Sequence, residues 1–294
     1  MMEVETMSKT VQLKNGKSVP PLGIGTWMIG EEPTRETQEI EAILTGIRAG
    51  MTLIDTAEMY GEGRSEILVG KALKQYFMEG SRDDVFVVSK VLPWNAGKGN
   101  MRKSCVNSFE RLGLKYLDMY LYHWIGNVPL KEVVEGLNAL QDEGLIRSWG
   151  VSNFDTKDME KLLKIPGGDK CQVNQVLYHL GSRGIEYDLI DYMNDHDIAL
   201  MSYCPLAQGG RLSRGLRENP VVMDIAKAHG VTPTQVLLAW NIRNGHTIAI
   251  PKSSSAVHIK ENADSVNLEL TLADIQALDG EFAPPSCKMP LDTE

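Results

Sequence analysis

With 294 residues, 43% apolar and 23% charged, the chain can bury a large core, and its formal charge of −9 leaves no basic face for a nucleic-acid backbone. No run approaches the roughly eighteen apolar residues of a membrane span, and the opening MMEVETMSKT lacks the apolar centre of a secretory signal. The scattered cysteines Cys105, Cys171, Cys204 and Cys287 form no CxxC pair, so a cytoplasmic protein with no metal, membrane or nucleic-acid partner is expected.

Residues 1–9 are expected to fray, and the folded region to run over 10–294. Apolar, β-branched runs recur in chain order: LGIGTW (22–27), TLIDTA (52–57), VFVVSK (85–90), YLDMYLYH (116–123), IRSWGVSN (146–153), CQVNQV (171–176), IALMSYC (198–204) and TIAIPK (247–252). They are continuous rather than alternating, as strands buried on both faces require. Between the first pair, Ile40, Ile43, Leu44 and Ile47 repeat at helical spacing before Gly50. Met101, Cys105, Phe109 and Leu112 do so between the third and fourth, and Val133, Leu137 and Leu140 between the fourth and fifth, where Gly144 is the stop. Thr232 followed by Pro233 opens a later helix over Val236, Leu237 and Trp240. An additional helical segment is expected near 221–229, ahead of the last strand.

Strands alternating with helices mean parallel βαβ units, which fit an open doubly wound sheet or a closed barrel. An open dinucleotide-binding sheet carries GxGxxG after an early strand, whereas Gly23-Ile24-Gly25 continues as Thr26-Trp27-Met28. The expected fold is α/β, a single-domain (β/α)8 TIM barrel.

Catalytic groups in such barrels project from the C-terminal ends of strands. Those ends supply Asp55, with Tyr60 five residues on, then Lys90 and His123. Singly, each has an ordinary reading: a turn cap, a surface aromatic, a solvated strand terminus, a hydrogen-bonded core histidine. On adjacent strands at one rim they form a chemical unit. A phenol titrates near ~10 in water, and a nearby ammonium is expected to lower that value. Asp55 would keep Lys90 charged, and His123 would donate to a carbonyl oxygen. Tyr60 then becomes a general acid aimed at an oxygen that gains negative charge. Such a site needs a hydride donor. At the tail, an apolar strand over 247–250 delivers Lys252 and three serines to a helix mouth, where free N–H groups attract phosphate. A serine cap beside a solvated lysine accounts for the same pattern equally well.

The motifs DTAEMYG, VVSKV, LYHW, GVSNF, NQVLYH and IPKS, in this order within residues 22–279, resemble those of the aldo-keto reductase family. The resemblance implies a barrel that binds NADPH/NADP+ across its rim without a Rossmann motif, with Asp55, Tyr60, Lys90 and His123 as its catalytic tetrad. It implies that Ser152, Asn153 and Gln175 hold the nicotinamide carboxamide, that Tyr203 stacks on the ring, and that Gly25, Thr26 and Trp27 border cofactor and substrate. Lys252 and Ser253 would meet the 2′-phosphate, and Glu261 and Asn262 the adenine. Leu206 and Gln208 belong to a glycine-rich loop, LAQGGRLSRG, that would close over the pyrophosphate. His258 stands where many members carry an arginine, which exchanges a fixed charge for one only partly present at neutral pH. Cys204 stands where serine is common.

The pocket would be lined by Trp27, Met28, Met59, Trp94 and Trp124. The short loop WIGNVPL after His123 suggests an open pocket for a small carbonyl. The run YHLGSRGIEYDLI is similar to bacterial members that reduce methylglyoxal and other small aldehydes. A monomer is the family default. The rival reading from another class is a catalytically slow nicotinamide-binding redox sensor or docking subunit. A metal-dependent hydrolase would show an HxH pair on an early strand, and a retaining glycosidase two facing carboxylates. LGIGTW, and strand ends reading Tyr-His-Trp and Ser-Tyr-Cys, supply neither.

Overall fold

The computed structural model describes residues 9–207 and 215–293. Of the N-terminal segment expected to fray, only Lys9 falls among the described residues, and Gln208 lies outside them. A short antiparallel hairpin, β1 (Val11–Gln12) with β2 (Ser18–Val19), comes first. All eight strands expected from sequence follow: β3 (Ile24–Gly25), β4 (Leu53–Asp55), β5 (Phe86–Val91), β6 (Leu117–Tyr122), β7 (Ile146–Ser152), β8 (Val173–Leu177), β9 (Ala199–Tyr203) and β10 (Thr247–Ala249). Each is parallel to its neighbour in chain order. A parallel bridge from Leu22 to Ala249 joins the last strand to the first, so the sheet closes on itself as a (β/α)8 barrel.

The connecting helices are α1 (Glu36–Arg48), α2 (Arg64–Tyr76), α3 (Asn100–Leu112), α4 (Leu130–Asp142), α5 (Thr156–Leu163) and α6 (Leu189–Asn194). Two helices, α7 (Pro220–His229) and α8 (Pro233–Ile242), precede β10, and α9 (Ala256–Asp264) and α10 (Leu272–Glu281) follow it. The sequence signals act as expected. Ile40, Ile43, Leu44 and Ile47 form the buried stripe of α1, and Gly50 leaves it with φ of 93°. Thr232 caps α8 in a capping box with Gln235. Among the described residues, no helix is long and apolar enough to cross a membrane.

The period-two pleat divides each strand between two cores. Ile54, Val87, Tyr120, Trp149 and Leu200 face outward into the helix layer. Leu53, Val88, Leu121, Val173, Met201 and Ile248 face inward and meet along the barrel axis. The hairpin closes the N-terminal end of that inner core with Val11, Leu13 and Val19. Asn15 N–H donates to Gln172 Oε1 at 2.8 Å, just ahead of β8, which pins the hairpin to the strand bottoms. The opposite end stays open.

One helix contact carries a pH prediction. His229 Nε2, in the last turn of α7, lies 2.9 Å from Asp274 Oδ2 on α10, and Thr271 donates both N–H and O–H to the same oxygen. Burial pushes this carboxyl up, but the bonds from His229 and Thr271 more than reverse that, so it lies below its ordinary 3.8. A depressed folded-state value contributes stability that is complete above the unfolded value and is lost as pH falls through the folded one. Asp274→Asn is therefore expected to cost about 1 kcal/mol above pH ~5. The difference in Tm from the parent should narrow as acid titrates the carboxylate, and a difference that stays constant down to that range would rule out this linkage.

Candidate active site

The open rim is built by continuing the inward-facing series by one step on several strands. Two residues beyond Leu53 stands Asp55, beyond Val88 stands Lys90, and beyond Leu121 stands His123. On the far wall the same step takes Val173 to Gln175, Met201 to Tyr203 and Ile250 to Lys252. The pleat that fills the barrel with apolar side chains thus places six polar ones at its mouth. All but the buried Lys90 line a cavity of about 130 Å³, together with Tyr60, Ser152 and Asn153. Gly25 leaves room at this mouth, because a Cβ there would lie 2.5 Å from the Ile250 carbonyl oxygen.

Lys90 is fully buried, and its ammonium has three partners. Nζ donates to Asp55 Oδ2 at 2.7 Å, to the Thr56 carbonyl at 2.9 Å and to Tyr60 OH at 3.1 Å. Tyr60 reaches this point because it opens a 3-10 turn, Tyr60–Gly63, in which Gly61, Glu62 and Gly63 all have positive φ. Asp55 is held from the far wall as well, where Gln175 Nε2 donates to Oδ1 at 2.8 Å. Below it, Thr26 Oγ1 donates to the Asp55 carbonyl, and Ser65 donates to Thr26, tying α2 to the strand ends.

Burial sets the protonation states. It pushes the Asp55 carboxyl up, and Lys90 works against it. Burial lowers Lys90, yet Asp55 and Tyr60 more than restore it, so the ammonium is held above its ordinary value. Tyr60 departs from the sequence expectation. The lysine does pull the phenol down, but burial outweighs it and the net direction is up from 10.0. Tyr60 therefore keeps its proton throughout the neutral range. Burial and the Lys90 charge lower His123 to about 2, so its imidazole is neutral. Its buried Nδ1 has no partner among the described residues. A protonated Nδ1 would strand an N–H in the interior, which assigns the ring proton to Nε2.

A second group lies across the mouth. Asn153 Nδ2 donates to the His123 carbonyl at 3.2 Å, and Tyr203 OH donates to Asn153 Oδ1 at 2.9 Å. Ser152 Oγ donates to the Gln175 carbonyl at 2.9 Å. Asn153, Cys204 and Ala207 have positive φ, as do Met28 and Glu62 on neighbouring rim loops. Left-handed backbone costs a non-glycine residue about 1–2 kcal/mol, so strain is gathered on this face.

Most of the residues expected from sequence come together here. Gly25, Thr26, Trp27, Ser152, Asn153, Gln175, Tyr203 and Lys252 line the cavity, as do Met59 and Trp124. Met28 and Trp94 do not line it and are 53% and 63% exposed, with Trp94 edge-on to Trp124 at 6.0 Å. Leu206, Ser253, His258, Glu261 and Asn262 also stand outside it. Leu206 and Asn262 are buried, Ser253 and Glu261 are partly buried, and His258 is exposed. Ser255 Oγ caps α9 by accepting from His258 N–H, and Ser253 Oγ accepts from Ser255 N–H. The capping reading of this serine run therefore holds alongside a lysine facing the cavity. Sequence reasoning did not include Thr56, Ser65 or Ile250. Thr56 acts through its carbonyl, and a main-chain atom leaves no residue-type signal.

The donor set suits a nicotinamide nucleotide: side-chain amides and a serine hydroxyl beside a tyrosine ring, and an ammonium near a helix start. Residues 21–281 match the Aldo/keto reductase family model. The chain is 46% identical over 284 residues to Methylglyoxal reductase YeaE of Escherichia coli (strain K12), covering 97% of this chain and 98% of that one. It is 36% identical to a glyoxal reductase of Bacillus subtilis (strain 168) over 93% of each chain. An aldo/keto reductase from Klebsiella pneumoniae, crystallised with NADP and acetate, superposes with a TM-score of 0.93 at 47% identity, covering 98% of this chain and 100% of that one. By sequence, barrel topology and this rim, the chain belongs to the aldo/keto reductase family.

Proposed function

We propose that the protein reduces small aldehydes and ketones, methylglyoxal among them, to alcohols with NADPH. The observation that carries this reading is the buried contact of Lys90 with both Asp55 and Tyr60 at the floor of the cavity, beside a neutral His123. Relatives acting on methylglyoxal and glyoxal support the substrate class, and neighbours crystallised with NADP or NADPH support the cofactor.

Bound NADPH supplies the hydride. The protein supplies position and a proton. His123 Nε2–H donates to the carbonyl oxygen and aligns it, and the neutral ring does so without surrendering its proton. Tyr60 OH transfers its proton to that oxygen as negative charge develops there. Lys90 favours the resulting phenolate, and Asp55 keeps the ammonium in place. Ser152, Asn153 and Gln175 would hold the carboxamide edge, and Tyr203 would pack on the ring. Trp27, Met59 and Trp124 exclude water, which strengthens these charge interactions.

Lys252 and Ser253 hold the 2′-phosphate in this reading. A charge-assisted contact contributes about 1.5–3 kcal/mol. Lys252→Ala is expected to weaken NADPH roughly ten- to a hundredfold and leave NADH nearly unchanged; an equal loss for both would contradict the assignment. The reading as a whole is tested by initial rates with methylglyoxal, NADPH and NADH being run in parallel. Rapid consumption favouring NADPH is expected. Folded protein that binds NADPH but consumes none with methylglyoxal or other small carbonyls would replace this reading with that of a redox sensor.

A further inference from the structure

Asp55 is buried, and its two carboxylate oxygens have different partners. Oδ2 accepts from Lys90, its neighbour one strand away. Oδ1 accepts from Gln175, on β8, four strands round the barrel and therefore on the opposite wall. Gln175 is 2% exposed, and its amide nitrogen also packs on Met201 Sδ. From that wall this amide donates a hydrogen bond to the ion pair.

We propose that Gln175 is a positioning residue for the proton-transfer unit, fixing Asp55 so that Lys90 stays aimed at Tyr60. This extends the reductase reading and rests on it. A carboxylate anchored through one oxygen can turn about its Cβ–Cγ bond, and a second donor on the other oxygen removes that freedom. The same N–H favours the ionised form, opposing the burial that pushes Asp55 up. The remaining titratable groups facing the unit are Lys90 on β5, Tyr60 after β4, His123 after β6 and Cys204 after β9. His123 is neutral, so Lys90 is the cation that Asp55 can pair with there. Gln175 would then join two sets of residues, touching the acid side of the site through its amide nitrogen and standing beside Ser152 and Asn153 at the carboxamide edge.

The test needs a readout independent of turnover. Carboxyl ¹³C NMR, with the Asp55 signal assigned through Asp55→Asn, follows its titration directly. Gln175→Met keeps the side-chain length and loses the N–H. Gln175→Asn keeps an amide that ends one bond short of Oδ1. In both variants Asp55 is expected to titrate about one to two units higher than in the parent. The acid limb of kcat at saturating NADPH should move with it. A role confined to binding the cofactor would raise the Kd for NADPH and leave the Asp55 titration in place, and that result would overturn the proposal. If Asp55 moves in a protein that reduces no carbonyl, the positioning role stands and the reductase reading falls.

Discussion

Replacing Tyr60 with phenylalanine is expected to lower kcat for carbonyl reduction by about 10²- to 10⁴-fold, the usual contribution of a positioned general acid. The substitution removes one oxygen and keeps the ring, so the turn Tyr60–Gly63 and its packing should persist. Lys90 loses its contact at 3.1 Å but keeps Asp55 at 2.7 Å and the Thr56 carbonyl at 2.9 Å, so no buried charge is left alone. The residues assigned to NADPH stand elsewhere on the rim, and its Kd, read by fluorescence quenching, should stay within about twofold. The loss should therefore appear in kcat at saturating cofactor. Turnover within a few-fold of the parent would remove Tyr60 from the role of acid. The raised phenol bears on this result. Because burial and not lysine decides its direction, Tyr60 is a poor acid in the resting site, and as the proposed donor it would give up its proton only to an oxygen that has become strongly basic. That matches a transfer that accompanies carbonyl reduction and does not precede it.

The strands and main helices were legible because both leave local marks: short β-branched runs and apolar residues three or four apart. The hairpin was not among the expected elements. Val11, Leu13 and Val19 are too few to form a run, and their burial comes from plugging a barrel built later in the chain. Nor did continuous strands reveal which residues face inward. The step from Leu53 to Asp55, or from Met201 to Tyr203, follows only once closure has defined an inside. That Asp55, Lys90 and His123 gather at one rim was still readable, because they stand at or beside the ends of successive strands, β4 to β6, where a polar residue interrupts an apolar run, whereas Tyr60 joins them from the turn after β4. The bond between Gln175 and Asp55 spans 120 residues and opposite walls, and no spacing encodes it. The acidity of Tyr60 was misjudged in sign for a related reason: a lysine can be read from sequence, whereas desolvation depends on everything packed around it. Trp94 and Met28 show the converse, since apolar character alone did not bring them into the cavity.

The other large effect is expected far from the chemistry, at Arg183. The residue is 8% exposed, and its guanidinium makes contacts on several sides: Glu186 through both carboxylate oxygens, Asp279 on α10 at 2.7 Å and the Phe282 carbonyl at 2.5 Å. With Arg243 it also flanks the Trp240 ring of α8, the two guanidinium carbons lying 5.2 and 4.0 Å from the centroid. One side chain thus ties the loop after β8 to both α8 and α10. Breaking a buried ion pair typically costs about 3–5 kcal/mol because the partner's charge is left behind. Here Glu186 would keep the Tyr178 hydroxyl and Arg243, while Asp279, already partly exposed, would turn to water. Both moderate the loss, so Arg183→Ala should cost about 3 kcal/mol and lower Tm by roughly 6–10 °C. Arg183→Lys should recover less than half of that, since one ammonium cannot serve acceptors arranged around a planar fork. A double-mutant cycle with Asp279→Asn would measure the coupling, with about 1 kcal/mol or more expected for groups sharing one network. If Arg183→Ala melts within a degree or two of the parent, the cation contributes little beyond what packing already supplies, and the hold on α10 must come from its apolar face.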